Sequence, residues 1–190
     1  MKHFIDNSIA PIIAIDFDGT ISIGNDAYPD PHNGTIRPYA KEVMNFLYDV
    51  GVKVVIWTNR KNVKGTDIKD KLLMKQWLDE MGVKYHTVND STQFAPFKYY
   101  GRKLYAHMFV DDRGYGFDCD NKFVMLDVLR YFLTDIVGCD HTIMRHIDHA
   151  LFTGRYPDED HIQHVKSIIA NWNKDVPAGT PYQLVGDDDV

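Results

Sequence analysis

The stretch at residues 11–16, "PIIAID", is apolar on both alternations up to its last position. A run without a polar face predicts a strand buried on both sides, as in a parallel sheet. "VKVVIWT" at 52–58 has the same character and predicts a second such strand. Between them, Ala40, Val43, Phe46, Leu47 and Val50 recur at helical spacing, and Gly51 closes that helix. A further helix is expected with Thr66 as its cap, Leu73, Met74, Trp77, Leu78 and Met81 facing inward, and Gly82 at its end. Residues 20–38, with Gly24, Pro29, Pro31, Gly34 and Pro38, read as loop or short hairpin. A short strand near 83–88, an irregular stretch at 89–102, a strand within "KLYAHMFVDD" and another in "KFVML" complete the first two thirds.

Strands and helices alternating through short connections predict right-handed crossovers and an α/β fold with a mainly parallel sheet. Beyond residue 126 the pattern turns helical, at 127–137, 141–153 and 158–174, the last with Ile162, Val165, Ile168, Ile169 and Trp172 on one face. The expected organisation is a core over 1–126, a helical C-terminal extension over 127–175 packed on it, and an acidic tail over 176–190. There are no internal repeats.

Three of the expected strands end in polar groups: Asp16 and Asp18, then Thr58, Asn59 and Arg60, then Asp111 and Asp112. In open parallel sheets ligands bind beyond the carboxyl ends of the strands, so these groups converge on one candidate site. Four carboxylates there need a counter-charge. An all-oxygen donor set suits Mg²⁺, a hard cation held by a few carboxylates, water and substrate phosphate. Solvated strand ends or helix caps would account for one such pair; two acidic ends beside a hydroxyl-bearing one favour the metal. Arg60 and Arg113, each adjoining one of these groups, are candidate phosphate contacts, with Asn59 beside them on the same strand end.

Composition narrows the function classes. The 190 residues carry 21 basic and 27 acidic side chains, net −6, which argues against wrapping nucleic acid. Two cysteines, Cys119 and Cys139, lack metal-ligand spacing and suit a reducing compartment. The sequence contains no signal-peptide pattern and no membrane-length apolar run, so a cytoplasmic protein without a membrane partner is expected. In the C-terminal third, His146 and His149 lie three apart on one helix face, where packing or surface exposure is a more ordinary role than metal binding.

"DFDGT" after a buried strand, then "WTNR", then "RKLYAHMFVDD", resemble in order the motifs of the haloacid dehalogenase superfamily over residues 11–126. The resemblance implies a Rossmann-like three-layer sandwich. It also implies an aspartyl-phosphate route, with Asp16 as nucleophile and Asp18 as general acid, then base. Thr58 would hold a phosphoryl oxygen and Lys103, rather than Lys98, would neutralise the transferring group. Asp111 and Asp112 would complete a Mg²⁺ site with the Asp16 carboxylate and the Asp18 main-chain carbonyl. Asp18 separates phosphatases from the dehalogenases, which lack a carboxylate there.

Neither gap between motifs has room for a separate cap domain, so the resemblance implies a capless enzyme, or one that borrows a lid from a second subunit of a homo-oligomer. The loop aromatics Phe94, Phe97, Tyr99 and Tyr100, with Lys98 and Arg102, could stack on a nucleotide or simply pack the loop. The expected substrate is a small phosphate ester such as a nucleoside monophosphate. The alternatives are a phosphatase of nucleic-acid ends and a binding protein that keeps the fold without turnover.

Overall fold

A computed structural model describes residues 10–24, 28–62, 64, 69–94 and 104–172. Strand β1 (Ile12–Asp16) is central. It pairs in parallel with β4 (Lys53–Trp57) on one side and with β6 (Met108–Val110) on the other, and β4 pairs in parallel with β5 (Thr87–Val88). The order β5-β4-β1-β6 makes a four-stranded parallel sheet, compatible with a Rossmann-like arrangement. Ile12 to Ile15 and Val54 to Ile56 are fully buried, as runs apolar on both alternations require.

The segment between β1 and the first helix forms a small antiparallel hairpin, β2 (Ser22–Ile23) with β3 (Thr35–Ile36), around a 3-10 turn at Pro31–Asn33. Helix α1 (Ala40–Asp49) buries Ala40, Val43, Met44, Phe46 and Leu47. Helix α2 (Asp70–Met81) buries Met74, Trp77 and Leu78, and ends at Gly82 in the left-handed conformation. The expected cap Thr66 lies outside the described residues.

Two expectations are corrected. "KFVML" is not a strand: its last three residues open helix α3 (Val124–Tyr131), which buries Val124, Met125, Leu126, Val128 and Leu129. A five-residue apolar run has no period of its own, and the residues after it continue at helical spacing. The strand expected across "KLYAHMFVDD" occupies only Met108–Val110 among the described residues: Tyr105 turns its N–H to the Ser91 hydroxyl, while His107 still bonds Ile12 of β1.

Helix α3 runs on through a π-helical turn (Phe132–Val137) into α4 (His141–Phe152) and α5 (Glu159–Asn171). Asp140 and Asp158 cap α4 and α5 by accepting from Thr142 and His161 backbone N–H groups. Met144, Ile147, Leu151, Ile162, Val165 and Ile169 join the same apolar cluster as the sheet residues, so the C-terminal helices share the core. Polar ties reinforce this, with Tyr156 donating to Asp49 of α1 at 2.6 Å and Trp172 Nε1 to the Ile136 carbonyl at 3.1 Å. Among the described residues, no helix is long and apolar enough to cross a membrane.

Candidate active site

The chain passes from β1 through α1 to β4 and β5 on one side, then returns to β6 on the other side of β1. The carboxyl ends of β1 and β6 therefore flank a topological switch point, where the sheet opens a crevice. Asp16 is the last residue of β1, and Asp111 and Asp112 come directly after β6. One carboxylate oxygen from each of these three residues lies within 4.8 Å of the other two, a spacing that could hold a metal ion. A cavity of about 280 Å³ opens there, lined by Asp16, Asp18, Tyr28, Asn59, Asp111, Asp112 and Arg113.

Among the described residues, the acids raise one another's pKa. Burial, and then the neighbouring Asp111, push the Asp16 carboxyl up to about 7; Asp112 and Asp18 add to the rise, and the Phe17 N–H opposes it. Asp112 is likewise raised, by burial first and by Asp111 second. Three carboxylate oxygens this close together could hold a cation.

The loop after β1 is shaped to bring Asp112 in. Gly19 has φ +84°, and a Cβ there would sit 2.4 Å from Asp112 Oδ2. Both the backbone conformation and the approach exclude a side chain. The Thr20 hydroxyl accepts from the Asp112 N–H at 2.8 Å. Gly19→Ala is accordingly expected to displace Asp112 and cost about 1–2 kcal/mol of stability, and, where the cluster takes Mg²⁺, to weaken that binding by about tenfold or more. Calorimetric titration with Mg²⁺ and thermal melts check both; unchanged affinity would mean that Asp112 is not part of the cation site.

No family model, curated protein or solved structure matches this chain. What the site can do rests on its own geometry and charge.

Arg60 is placed differently from a phosphate contact on the cavity wall. It is buried, and its guanidinium grips Asp18: Nε donates to both carboxylate oxygens at 3.0 and 2.9 Å, and Nη2 donates to Oδ1 at 2.6 Å. The Phe17 and Tyr28 rings lie 5.0 and 5.1 Å from it. Such a two-pronged contact fixes Asp18 in one orientation. Thr58 is also buried behind the cavity rather than lining it. Its N–H donates to Asn89 Oδ1 at 2.8 Å, and its hydroxyl accepts from the Arg60 N–H at 3.0 Å. Asn59 and Arg113 do face the cavity. Lys98, Lys103 and the loop residues Phe97, Tyr99, Tyr100 and Arg102 lie outside the described residues.

Several supporting residues escape sequence reasoning. Arg37 is buried and donates to three carbonyls: Thr20 at 2.7 Å, Gly19 at 2.6 Å and Cys119 at 3.1 Å. It thereby ties the loop after β1 to the segment after β6. Asn89, at φ +55°, braces Thr58, and Tyr28 closes one wall of the cavity. No spacing marks Arg37 or Asn89, because their partners are backbone groups distant in sequence. The aspartates and the glycine after them are the legible signal.

Proposed function

We propose that this protein is a Mg²⁺-dependent phosphomonoester hydrolase of the haloacid dehalogenase type, acting through an aspartyl phosphate. The observation that carries the reading is the Asp16–Asp111–Asp112 cluster at the switch point, with Asp18 two residues from Asp16 and clamped by Arg60. The parallel, Rossmann-like sheet and the order of the motifs support it.

The Asp16 and Asp111 carboxylates, Asp112 and the Asp18 main-chain carbonyl would hold Mg²⁺. When bound, the ion offsets the clustered charge and polarises the phosphoryl group. A carboxylate oxygen of Asp16 attacks phosphorus as the bond from phosphorus to the leaving oxygen breaks. Asp18 gives that oxygen its proton. In the second step Asp18 takes a proton from water, the water oxygen attacks phosphorus, and the Asp16 carboxylate leaves with its bonding pair. A carboxylate has about four acceptor positions. Arg60 shares its one Nε–H between Oδ1 and Oδ2 and bonds Oδ1 through Nη2, which leaves acceptor capacity on the Asp18 carboxylate for the proton transfer.

Asn59 and Arg113 on the cavity wall bind phosphoryl oxygens, Thr58 supports that wall from behind, and Lys103 supplies counter-charge. The cavity is flanked by acids, which suits a small phosphate ester, such as a nucleoside monophosphate, better than a polyanionic nucleic-acid end.

The test is hydrolysis of an aryl phosphate and a panel of nucleotides and sugar phosphates by the full chain, with Mg²⁺ and with EDTA. Turnover is expected with Mg²⁺ and its loss, by about 10² or more, in EDTA. Activity indifferent to EDTA would overturn the metal reading, and no turnover of any ester would favour a binding protein.

A further inference from the structure

Among the described residues that line the acidic cavity, four are acids, Asn59 is an amide and Arg113 a guanidinium; Tyr28 alone brings an apolar face. The polar side chains can hold a cation, a proton or phosphoryl oxygens. The carbon body of a leaving group finds dispersion and stacking contact only on the tyrosine ring.

Tyr28 stands in the open yet is held in place. It is 64% exposed. The Arg60 guanidinium lies over one face of its ring, 5.1 Å from the centroid, and is backed by Phe17 at 5.0 Å. The Tyr28 hydroxyl donates to Asp70 Oδ2 at 3.2 Å, and the carbonyl of the next residue, Pro29, accepts from Arg60 Nη1 at 2.5 Å. A ring pinned at one face and at its tip has little rotamer freedom left to lose, so stacking on its other face costs little in ordering.

The same guanidinium sets the direction. Arg60 holds the Tyr28 ring and, through Nε and Nη2, the Asp18 carboxylate. Asp18, as general acid, gives its proton to the departing oxygen. The group attached to that oxygen therefore emerges on the Asp18 side of the cavity, where the wall carries its one ring.

We propose that Tyr28 selects the leaving group: the site prefers phosphate monoesters whose leaving alcohol carries a flat, aromatic ring, and that ring stacks on the outer face of Tyr28. The direction of the substrate rests on the phosphatase reading, whereas the preference for a flat ring is a property of binding. Through Arg60, Tyr28 is also a positioning residue for Asp18, so its loss slows every ester. The choice between esters isolates the stacking.

Benzyl phosphate and cyclohexylmethyl phosphate test it, since both release a primary alcohol of similar size and only one ring is flat. The cyclohexyl ring is the more hydrophobic, so burial by itself would favour the wrong ester. With Mg²⁺ the full chain is expected to favour benzyl phosphate in kcat/KM by about three- to tenfold. Tyr28→Leu should slow both esters and remove the preference; Tyr28→Phe, which keeps the ring and loses the Asp70 bond, should retain it. Phenylethyl- and cyclohexylethylphosphonate, in which CH₂ replaces the bridging oxygen and nothing is hydrolysed, give the same comparison as Kd by calorimetry. A preference in Kd that Tyr28→Leu abolishes, without turnover of either ester, supports the role of Tyr28 and removes the phosphatase reading. Turnover without a preference, or a preference that survives Tyr28→Leu, overturns the proposal and leaves the phosphatase reading intact. Neither turnover nor binding of any probe overturns both.

Discussion

Replacing Asp16 by Asn is expected to abolish turnover while making the metal-free protein more stable. The loss follows from the proposed nucleophile: an amide does not attack phosphorus to form an aspartyl phosphate, so a fall of about 10⁴-fold or more in kcat/KM is expected. The gain follows from the same carboxyl's surroundings. Its pKa is raised to about 7 from the usual carboxylate value of 3.8, by burial and by Asp111. The unfolded chain holds its proton less tightly than the native protein does. Stability from this group is therefore greatest below pH 3.8 and is lost as pH rises towards 7.

At neutral pH and above, the neutral amide removes that cost. The full shift would exceed about 4 kcal/mol in a dry interior; the cavity is open to solvent, so about 1–2 kcal/mol is the expected gain. That corresponds to a melting temperature higher by several degrees in EDTA. Added Mg²⁺ should stabilise the wild type and have much less effect on Asp16→Asn, because a ligand that binds only the native state stabilises in proportion to its affinity. Scanning fluorimetry with and without Mg²⁺ separates the two parts. A variant less stable than wild type in EDTA would show that Asp16 is held by compensating contacts rather than strained by its neighbours.

Asp16 and Asp112 also show why part of the site is legible in the sequence. A carboxylate at the end of a doubly apolar strand has few structural reasons to be there, and a second acidic strand end on a parallel sheet places both on one rim. Gly19 is visible as a turn residue, but its second constraint, the close approach of Asp112, emerges only when β6 lies beside β1. Arg60 is the instructive case. Its position beside Thr58 suggests a phosphate contact, yet its side chain turns to Asp18 across 42 residues of sequence. Ion pairing of this kind is decided by tertiary placement.

The sheet itself is legible for the reverse reason. Burial on both faces leaves a mark, a run of β-branched residues without alternation, that local sequence records directly. "KFVML" falls between these cases: too short to show a period, it could be strand or helix until α3 supplies the continuation. The C-terminal helices declare themselves by periodicity, but their sharing of one core with the sheet, through Ile147, Leu151 and Val165, leaves no such mark.

His107 provides the second large effect, at the opposite end of β6 from the acids. Its Nδ1 accepts from the Ile12 N–H at 2.9 Å, its Nε2 lies 3.1 Å from the Tyr105 hydroxyl, and its ring meets Trp172 edge-on at 4.6 Å. With Nδ1 committed as an acceptor, the neutral ring carries its proton on Nε2, which donates to Tyr105. Protonating Nδ1 would set a donor against the Ile12 N–H and place charge in a dry setting. Burial accordingly pushes the pKa down to about 4.

The native state thus binds this proton later than the unfolded chain, whose imidazole titrates near the ordinary value of 6.5. The contribution to stability is complete above pH 6.5 and is lost progressively as pH falls to about 4, by about 3 kcal/mol in all. This runs against the Asp16 contribution over the same range, so the wild-type profile alone would blend the two. In the Asp16→Asn background the acid-side loss should steepen. Adding His107→Asn, whose amide oxygen can still accept from Ile12, should lower stability at pH 7 through lost packing yet flatten the slope between pH 6.5 and 4. Urea denaturation across that range measures it. An unchanged slope in the double variant would show that His107 is not the group whose protonation loosens the fold.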